Sequence, residues 1–212
     1  GGGTTGQPKG LKISASLVTN SAISGSTSVA VGNRTLFFRF ATGNKIRSAT
    51  NGTLYFKDFA VLVTDSSGNP VANQQLNVSV SPNRYAKGRW FKSPVGAAFK
   101  SWVPVISNDP TDVYCFSEDS NKNGIKDPTE VDWDGDGQLT PGNVVSVERT
   151  ITAGADGIAY FTLTYAKEMA AWVTADVSVS GIAVGTENIY SREFTLDYDS
   201  ADTTKEEARP FD

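Results

Sequence analysis

Asp119, Asn121 and Asn123 stand at alternate positions, and Gly124 follows them directly. Side chains at alternate positions direct several oxygen atoms towards one point, and Gly124 permits the sharp turn that wraps the backbone around that point. The carbonyl of Ile125 follows the turn, while its side chain is expected to pack inward. The candidate ligands of this first loop are Asp119, Asn121, Asn123, Ile125 through its carbonyl, Asp127 and Glu130.

The spacing of these residues matches the twelve-residue calcium loop D-x-N-x-N-G-x5-E at every position. Oxygen donors in this number suit Ca²⁺ and do not suit zinc or copper. Glu130 at the twelfth position offers two oxygens to one ion. The first loop is therefore predicted to bind Ca²⁺.

A second loop begins after one intervening residue and repeats the alternation. Gly137 takes the turn, and Leu139 is the apolar residue that follows it. The candidate ligands of the second loop are Asp132, Asp134, Asp136, Gln138 through its carbonyl, Thr140 and Asn143. Because this loop ends in a neutral amide, the first loop is predicted to bind more tightly, and the segment is predicted to hold one or two Ca²⁺ ions.

The charge distribution supports a cation in this segment. Residues 109–143 contain nine acidic residues and two lysines, a net charge of −7, while the rest of the chain has 14 acidic and 17 basic residues, a net charge of +3. Such a local excess repels itself unless a cation neutralises it.

Composition argues against several other functions. The chain contains no histidine, which excludes Ser-His-Asp and Cys-His catalysis and a histidine-ligated zinc site. The clustered carboxylates are better explained as metal ligands than as an acid and base pair, so no enzyme is predicted. The absence of a basic patch argues against nucleic-acid binding, and no run of 18 apolar residues predicts a transmembrane segment. The single Cys115 is predicted to be a small buried side chain.

Alternation of apolar and polar residues recurs along the chain and predicts an all-β fold. Turn residues such as Asp156-Gly157 separate the segments. The predicted strands are 11–18, 35–40, 53–64, 75–81, 144–151, 158–164, 172–179 and 189–196, with a helical turn only at 166–171. Eight strands separated by turn residues of this kind favour a two-sheet sandwich.

The predicted organisation is one domain with a long insertion. A flexible tether covers 1–10, the sandwich covers 11–198, and a polar tail covers 199–212. Within the sandwich, 82–143 is an insertion that combines aromatic residues with the two acidic loops. A structureless loop of that length would be unusual, so aromatic packing and metal are expected to stiffen it.

Two resemblances refine this interpretation. The acidic loops resemble the tandem calcium loops of thrombospondin type 3 repeats and dockerins, without the helices that dockerin pairing requires. Residues 59–71 (FAVLVTDSSGNPV) and 155–159 (ADGIA) resemble the strand, turn and hairpin of bacterial immunoglobulin-like domains of the invasin/intimin type (group 1). This second resemblance covers about half the chain and implies an immunoglobulin-like β-sandwich from a bacterium.

The resemblance also implies an extracellular or cell-surface location and a noncatalytic role in adhesion or structure, with a surface protein or glycan as partner. A glycine-rich start often follows the lipidated cysteine of bacterial lipoproteins, so a periplasmic or outer-membrane lipoprotein anchored upstream stays an alternative. The alternative function is a carbohydrate- or ligand-binding module that uses exposed aromatics of 82–102. Its candidate residues are Tyr85, Trp90, Phe91 and Trp102.

Overall fold

Strands dominate the computed structural model, which describes residues 10–30, 35–96, 98–106, 114–183 and 185–210. Nine residues of the expected tether, the acidic residues Asp109 and Asp112, and the last two residues lie outside this description. The strands are β1 (Gly10–Leu17), β2 (Asn20–Ala30), β3 (Phe37–Ser48), β4 (Leu54–Thr64), β5 (Gln75–Tyr85), β6 (Gly88–Ser93), β7 (Ser101–Ile106), β8 (Cys115–Phe116), β9 (Val145–Ser146), β10 (Thr150–Thr152), β11 (Ile158–Ala166), β12 (Val173–Ala183) and β13 (Thr186–Thr195).

Two antiparallel sheets form the body of the protein. One has the strand order β3-β4-β11-β9, and the other has the order β10-β5-β12-β13, with β8 paired to the end of β5. One shared cluster of buried residues draws on both sheets, so the two sheets form a sandwich around a common core. The predicted all-β sandwich is confirmed.

The core follows from the alternation in the central strands. Phe59 on β4 is 1% exposed and stacks on Phe161 of β11 with ring centroids 5.2 Å apart. Phe194 of β13 meets Phe59 edge-on at 4.8 Å, which joins the two sheets. Full burial of an aromatic side chain contributes about 1.5–3 kcal/mol, and a T-shaped ring pair adds about 0.5–1.5 kcal/mol.

Buried polar residues lie at one end of the sandwich. Lys57 is 6% exposed between core positions of β4 and pairs with Asp197. Asp202 accepts hydrogen bonds from the hydroxyl of Tyr55 at 2.6 Å and from Nζ of Lys167 at 2.5 Å. Residues 199–210, expected as a polar tail, therefore pack against the sandwich, and Ser200–Thr203 form a short 3₁₀ helix.

The predicted strand at 144–151 is not one strand. It is divided into β9, which pairs with β11, and β10, which pairs with β5. The chain crosses between the two sheets at this point, and a continuous strand cannot pair with both. The predicted helical turn at 166–171 is a 3₁₀ helix at Lys167–Met169.

Two hairpins were not predicted as such. The β1–β2 pair forms its own two-stranded sheet, and β6–β7 forms another inside the expected insertion. In the described part of the chain no helix is long and apolar enough to cross a membrane.

Candidate metal centre

The first loop is organised by side-chain oxygens that accept backbone hydrogen bonds. Asp119 is 7% exposed, and its two oxygens accept the N–H groups of Asn123 at 3.0 Å and Gly124 at 2.9 Å. Oδ1 of Asn123 accepts the N–H of Ile125 at 2.7 Å. Gly124 has φ +77°, a conformation that side chains disfavour, which explains the glycine in the pattern. The backbone is thus wrapped around the carboxylate at the first position.

Glu130 closes the first loop from the other end. It is 8% exposed, and its carboxylate accepts the N–H groups of Ser120 at 2.8 Å and Asp127 at 3.0 Å. The hydrogen bond from the Asp127 N–H, followed by those from Asn121 and Ser120, holds the pKa of Glu130 below its ordinary value. The carboxylate is therefore ionised at neutral pH, as a cation ligand must be.

Asp127 joins the remaining expected ligands to this loop. Its Oδ2 accepts the side-chain amides of Asn121 at 2.6 Å and Asn123 at 2.9 Å. Hydrogen bonds therefore connect the side chains expected to ligate within the first loop, but the carboxylates of Asp119, Asp127 and Glu130 are not among the described groups whose oxygens lie close enough to share an ion. Ile125 departs from expectation, because its side chain is 66% exposed instead of packed inward. The loop lies on the surface, and no EF-hand helix covers it in the described chain.

The second loop repeats the same construction. Asp132 accepts the N–H groups of Gly135 at 2.7 Å and Gly137 at 2.9 Å, and the N–H of Gly137 is the main cause of its lowered pKa. Asp134 accepts the hydroxyl of Thr140 at 3.0 Å. Asp136 and Gln138, two further expected ligands, are exposed. Oδ1 of Asp136 accepts the N–H of Gln138 at 2.7 Å.

Glu118 was missed by the sequence analysis. It is 3% exposed, and its carboxylate accepts the N–H groups of Trp133 at 2.6 Å and Thr140 at 3.0 Å. Carboxylate oxygens of Glu118, Asp132 and Asp134 all lie within 4.8 Å of one another. This group of three carboxylates could hold a metal ion. Glu118 precedes the first loop and so falls outside both twelve-residue patterns; its position beside Asp119 is the only signal in the sequence.

Asn143, the twelfth residue of the second loop, lies against the first loop. Its Nδ2 donates to the carbonyl of Gly124 at 3.0 Å, and a Cβ at Gly124 would lie 2.9 Å from the same atom. Glu118, which lies outside the pattern, is the residue whose carboxylate the structure places beside Asp132 and Asp134.

The first loop is also linked to the sandwich by a lysine. Nζ of Lys122 donates to Oδ2 of Asp176 on β12 at 2.6 Å, and the side chain of Asp176 is 18% exposed. Nζ of Lys126 donates to the carbonyl of Glu130 at 3.2 Å. Both lysines, which entered the sequence analysis only through the net charge of 109–143, form hydrogen bonds that tie the loop to β12 and to itself.

The aromatic residues of 82–102 do not form an exposed platform. Trp90 is 7% exposed and contacts Trp172 and Tyr198 edge-on, with ring centroids 5.8 and 5.0 Å apart. Nε1 of Trp102 donates to the carbonyl of Lys205. Of the four candidates only Phe91 is exposed, at 37%. These aromatics mainly attach the β6–β7 hairpin to the C-terminal segment. Cys115, expected to be buried, is half-buried in β8.

Comparison of the chain with known protein families, with curated proteins and with solved structures finds no match.

Proposed function

We propose that this chain is a noncatalytic calcium-binding, immunoglobulin-like module of a bacterial surface or secreted protein, with a structural or adhesive role. The observation that carries the proposal is the convergence of Glu118, Asp132 and Asp134 beside a first loop whose sequence matches the twelve-residue calcium pattern. Three carboxylates whose oxygens lie this close repel one another in the absence of a cation. Carboxylate, amide and carbonyl oxygens are the ligands that Ca²⁺ prefers.

The residues would act by holding the ion and the chain together. In the first loop Asp119, Asn121, Asn123, Asp127 and Glu130 supply side-chain oxygens, and in the second Glu118 joins Asp132, Asp134 and Asp136. Backbone N–H groups already orient the carboxylates, so little rearrangement is needed to receive an ion. Bound Ca²⁺ would supply the positive charge that the −7 segment lacks.

A structural role fits better than a switch. The double loop lies between the short strands β8 and β9, and Lys122 attaches it to β12. Calcium switches of the EF-hand type move helices apart, and no such helices flank these loops in the described chain. The extracellular location rests on the resemblance to bacterial immunoglobulin-like domains, and extracellular calcium modules bind with Kd on the order of 10⁻⁴ to 10⁻³ M.

Thermal unfolding with excess Ca²⁺ and with chelator tests the proposal. Binding to the native state alone adds about 2.7 kcal/mol at a ligand concentration one hundred times Kd, so Tm should rise by several degrees. Mg²⁺ should stabilise less, because it demands smaller octahedral sites. The Asp132→Asn/Asp134→Asn variant should lose part of the Ca²⁺ effect, whereas the matched surface variant Glu187→Gln should keep all of it. Identical melts with Ca²⁺ and chelator would refute the proposal.

Hydrogen exchange tests whether the metal is structural. Chelation should raise exchange within 118–143 and leave β4, β5, β11 and β12 protected. Loss of protection spread evenly over those four strands would show that the ion controls the whole fold.

A further inference from the structure

A lysine occupies an inward-facing position of β4, an interior strand of its sheet. Tyr55, Lys57 and Phe59 stand at alternate positions of β4 and are 0%, 6% and 1% exposed. Lys57 lies opposite Ile46 of β3 and Leu163 of β11, and both of these side chains are buried. An unpaired lysine is almost never buried, because the interior cannot replace the hydration of its charge. Apolar packing alone therefore does not explain a cation at this position.

The partner of Lys57 is a carboxylate at the margin of the core. Nζ of Lys57 donates a hydrogen bond to Oδ2 of Asp197, which follows shortly after the end of β13. The side chain of the lysine is 8% exposed, and that of the aspartate is 53% exposed. An amine enclosed among apolar side chains is thus in contact with a carboxyl group that opens to solvent.

The backbone is fixed on both sides of this contact. Lys57 belongs to a ladder that pairs β4 with β3 and with β11. The hydroxyl of Tyr165 donates to the carbonyl of Asp197 at 2.7 Å, and the N–H of Leu196 donates to the carbonyl of Val173 at 2.9 Å. Two groups that are held together in this way react as if present at effective concentrations of about 10⁵–10⁸ M.

A second lysine pair at the same end of the sandwich has a different environment. Oδ2 of Asp202 accepts both Nζ of Lys167 at 2.5 Å and the hydroxyl of Tyr55 at 2.6 Å. Burial opposes ionisation of Asp202, but these hydrogen bonds hold its pKa below the ordinary value. An ionised carboxylate resists attack by an amine, so this pair is expected to remain an ion pair. The carboxylate of Asp197, by contrast, accepts only from the lysine among the described side chains.

We propose that Lys57 and Asp197 form an intramolecular isopeptide bond. A buried ion pair keeps the desolvation cost of two charges, whereas an amide carries no charge. A lysine amine that is desolvated among apolar side chains is also a stronger nucleophile than one in water. The bond joins β4 of one sheet to the segment after β13 of the other. The proposal goes beyond calcium binding and uses none of the proposed metal ligands.

The reaction balances without a cofactor or an oxidant. One proton of the Lys57 ammonium passes to the carboxylate of Asp197, which gives a neutral amine and a neutral carboxylic acid. The amine nitrogen then forms the Nζ–Cγ bond, and the bond between Cγ and the hydroxyl oxygen breaks. A second lysine proton leaves with that oxygen as water. The exposure of Asp197 gives the water a path to solvent.

Mass spectrometry of the intact, folded chain tests this inference. The main species should be lighter than the mass of the sequence by one water, about 18 Da. Trypsin does not cleave after a lysine whose amine is bonded, so digestion should give a branched peptide that joins residues 48–84 to residues 193–205. Fragmentation of this peptide should place the branch at Lys57 and Asp197.

Variants of the pair identify the two reacting groups. Lys57→Arg keeps the cation and Asp197→Ala removes the carboxyl group, and each should have the full mass of its sequence. Asp197→Asn should still react and should lose ammonia, about 17 Da, instead of water. Lys167→Arg makes the same change in the neighbouring pair and is the matched control, which should keep the loss of one water.

Three outcomes would overturn the inference. The first is a wild-type chain with the full mass of its sequence, a result that does not depend on how any variant folds. The second is a branch at Lys167 instead of Lys57. The third is a loss of water that hydroxylamine reverses and that gives no branched peptide, because ring closure at an Asp-Gly site such as Asp156-Gly157 also releases one water. The calcium melts are measured separately, so failure here leaves the calcium proposal standing.

Discussion

Backbone N–H groups find different partners in the two main regions of this protein. In the sandwich they pair with carbonyls across β4, β11, β5 and β12, and apolar side chains fill the space between the sheets. Between Glu118 and Asn143 they pair largely with side-chain carboxylates and amides. The first arrangement is neutral, and the second concentrates negative charge. The sandwich should therefore be stable without an ion, whereas the double loop should depend on one.

The largest effect is expected from a core substitution. Phe59→Ala removes a ring that is 1% exposed and contacts Phe161 and Phe194, and should cost about 3–5 kcal/mol of the free energy of unfolding. Phe59→Leu should cost much less. Chemical unfolding measures both, and calcium affinity of the folded variants should be unchanged. A core variant that folds and yet loses calcium affinity would contradict the expectation that sandwich stability and calcium binding are independent.

Glu118, which holds the second loop through hydrogen bonds from Trp133 and Thr140, should give the next largest effect. Glu118→Gln keeps one acceptor oxygen but cannot accept from both Trp133 and Thr140, which should cost about 1–3 kcal/mol by leaving a buried N–H without a partner. Its second effect should be a weaker second calcium site in titration calorimetry. Asn143→Ala is the matched comparison, since the structure places Asn143 on Gly124. Loss of the second site in Asn143→Ala but not in Glu118→Gln would favour the sequence pattern over the structure.

The two loops should differ in calcium affinity. Glu130 can offer two oxygens to the ion in the first loop, while the second loop relies on Glu118 from outside its own pattern. Glu130→Gln should therefore raise the Kd of the tighter phase of a calcium titration by roughly tenfold or more. Asp136→Asn should weaken the other phase. If Asp136→Asn removes the tighter phase and Glu130→Gln leaves it intact, the order of the two affinities is reversed.

The smallest effect concerns acid pH and the sandwich. Burial opposes ionisation of Asp202, but the hydrogen bonds from Lys167 and Tyr55 hold its pKa below the ordinary value of 3.8. A carboxyl with a lowered folded-state pKa stabilises the fold above its unfolded pKa, and this contribution is lost as pH falls below about 4 through the folded-state pKa. The double variant Lys167→Met/Asp202→Asn should therefore lose less stability on acidification. Parallel stability curves of variant and wild type in chelator would contradict this.

The sequence alone was sufficient for the fold class. Alternation marked β4, β5, β11 and β12 to within a few residues, because each strand buries one face and the pattern has a period of two. The residues from Asp119 to Glu130 are close in sequence, so the pattern predicted a compact loop, and hydrogen bonds within the loop connect them; their binding of Ca²⁺ stays a prediction. The Ser/Thr-rich sequence of β2 lacked that signal, and burial along the β6–β7 hairpin does not follow a clear alternation.

Contacts between distant parts of the chain were decided by tertiary structure. Glu118 meets Asp132 and Asp134 across the first loop, and Asn143 turns back to Gly124, because two adjoining loops fold against each other. The division of 144–151 between two sheets and the pairing of Asp202 with Lys167 likewise join segments far apart in sequence. Local spacing determines which residues can share a face or a turn. Which of those faces and turns meet depends on packing across the whole chain, and no short pattern records it.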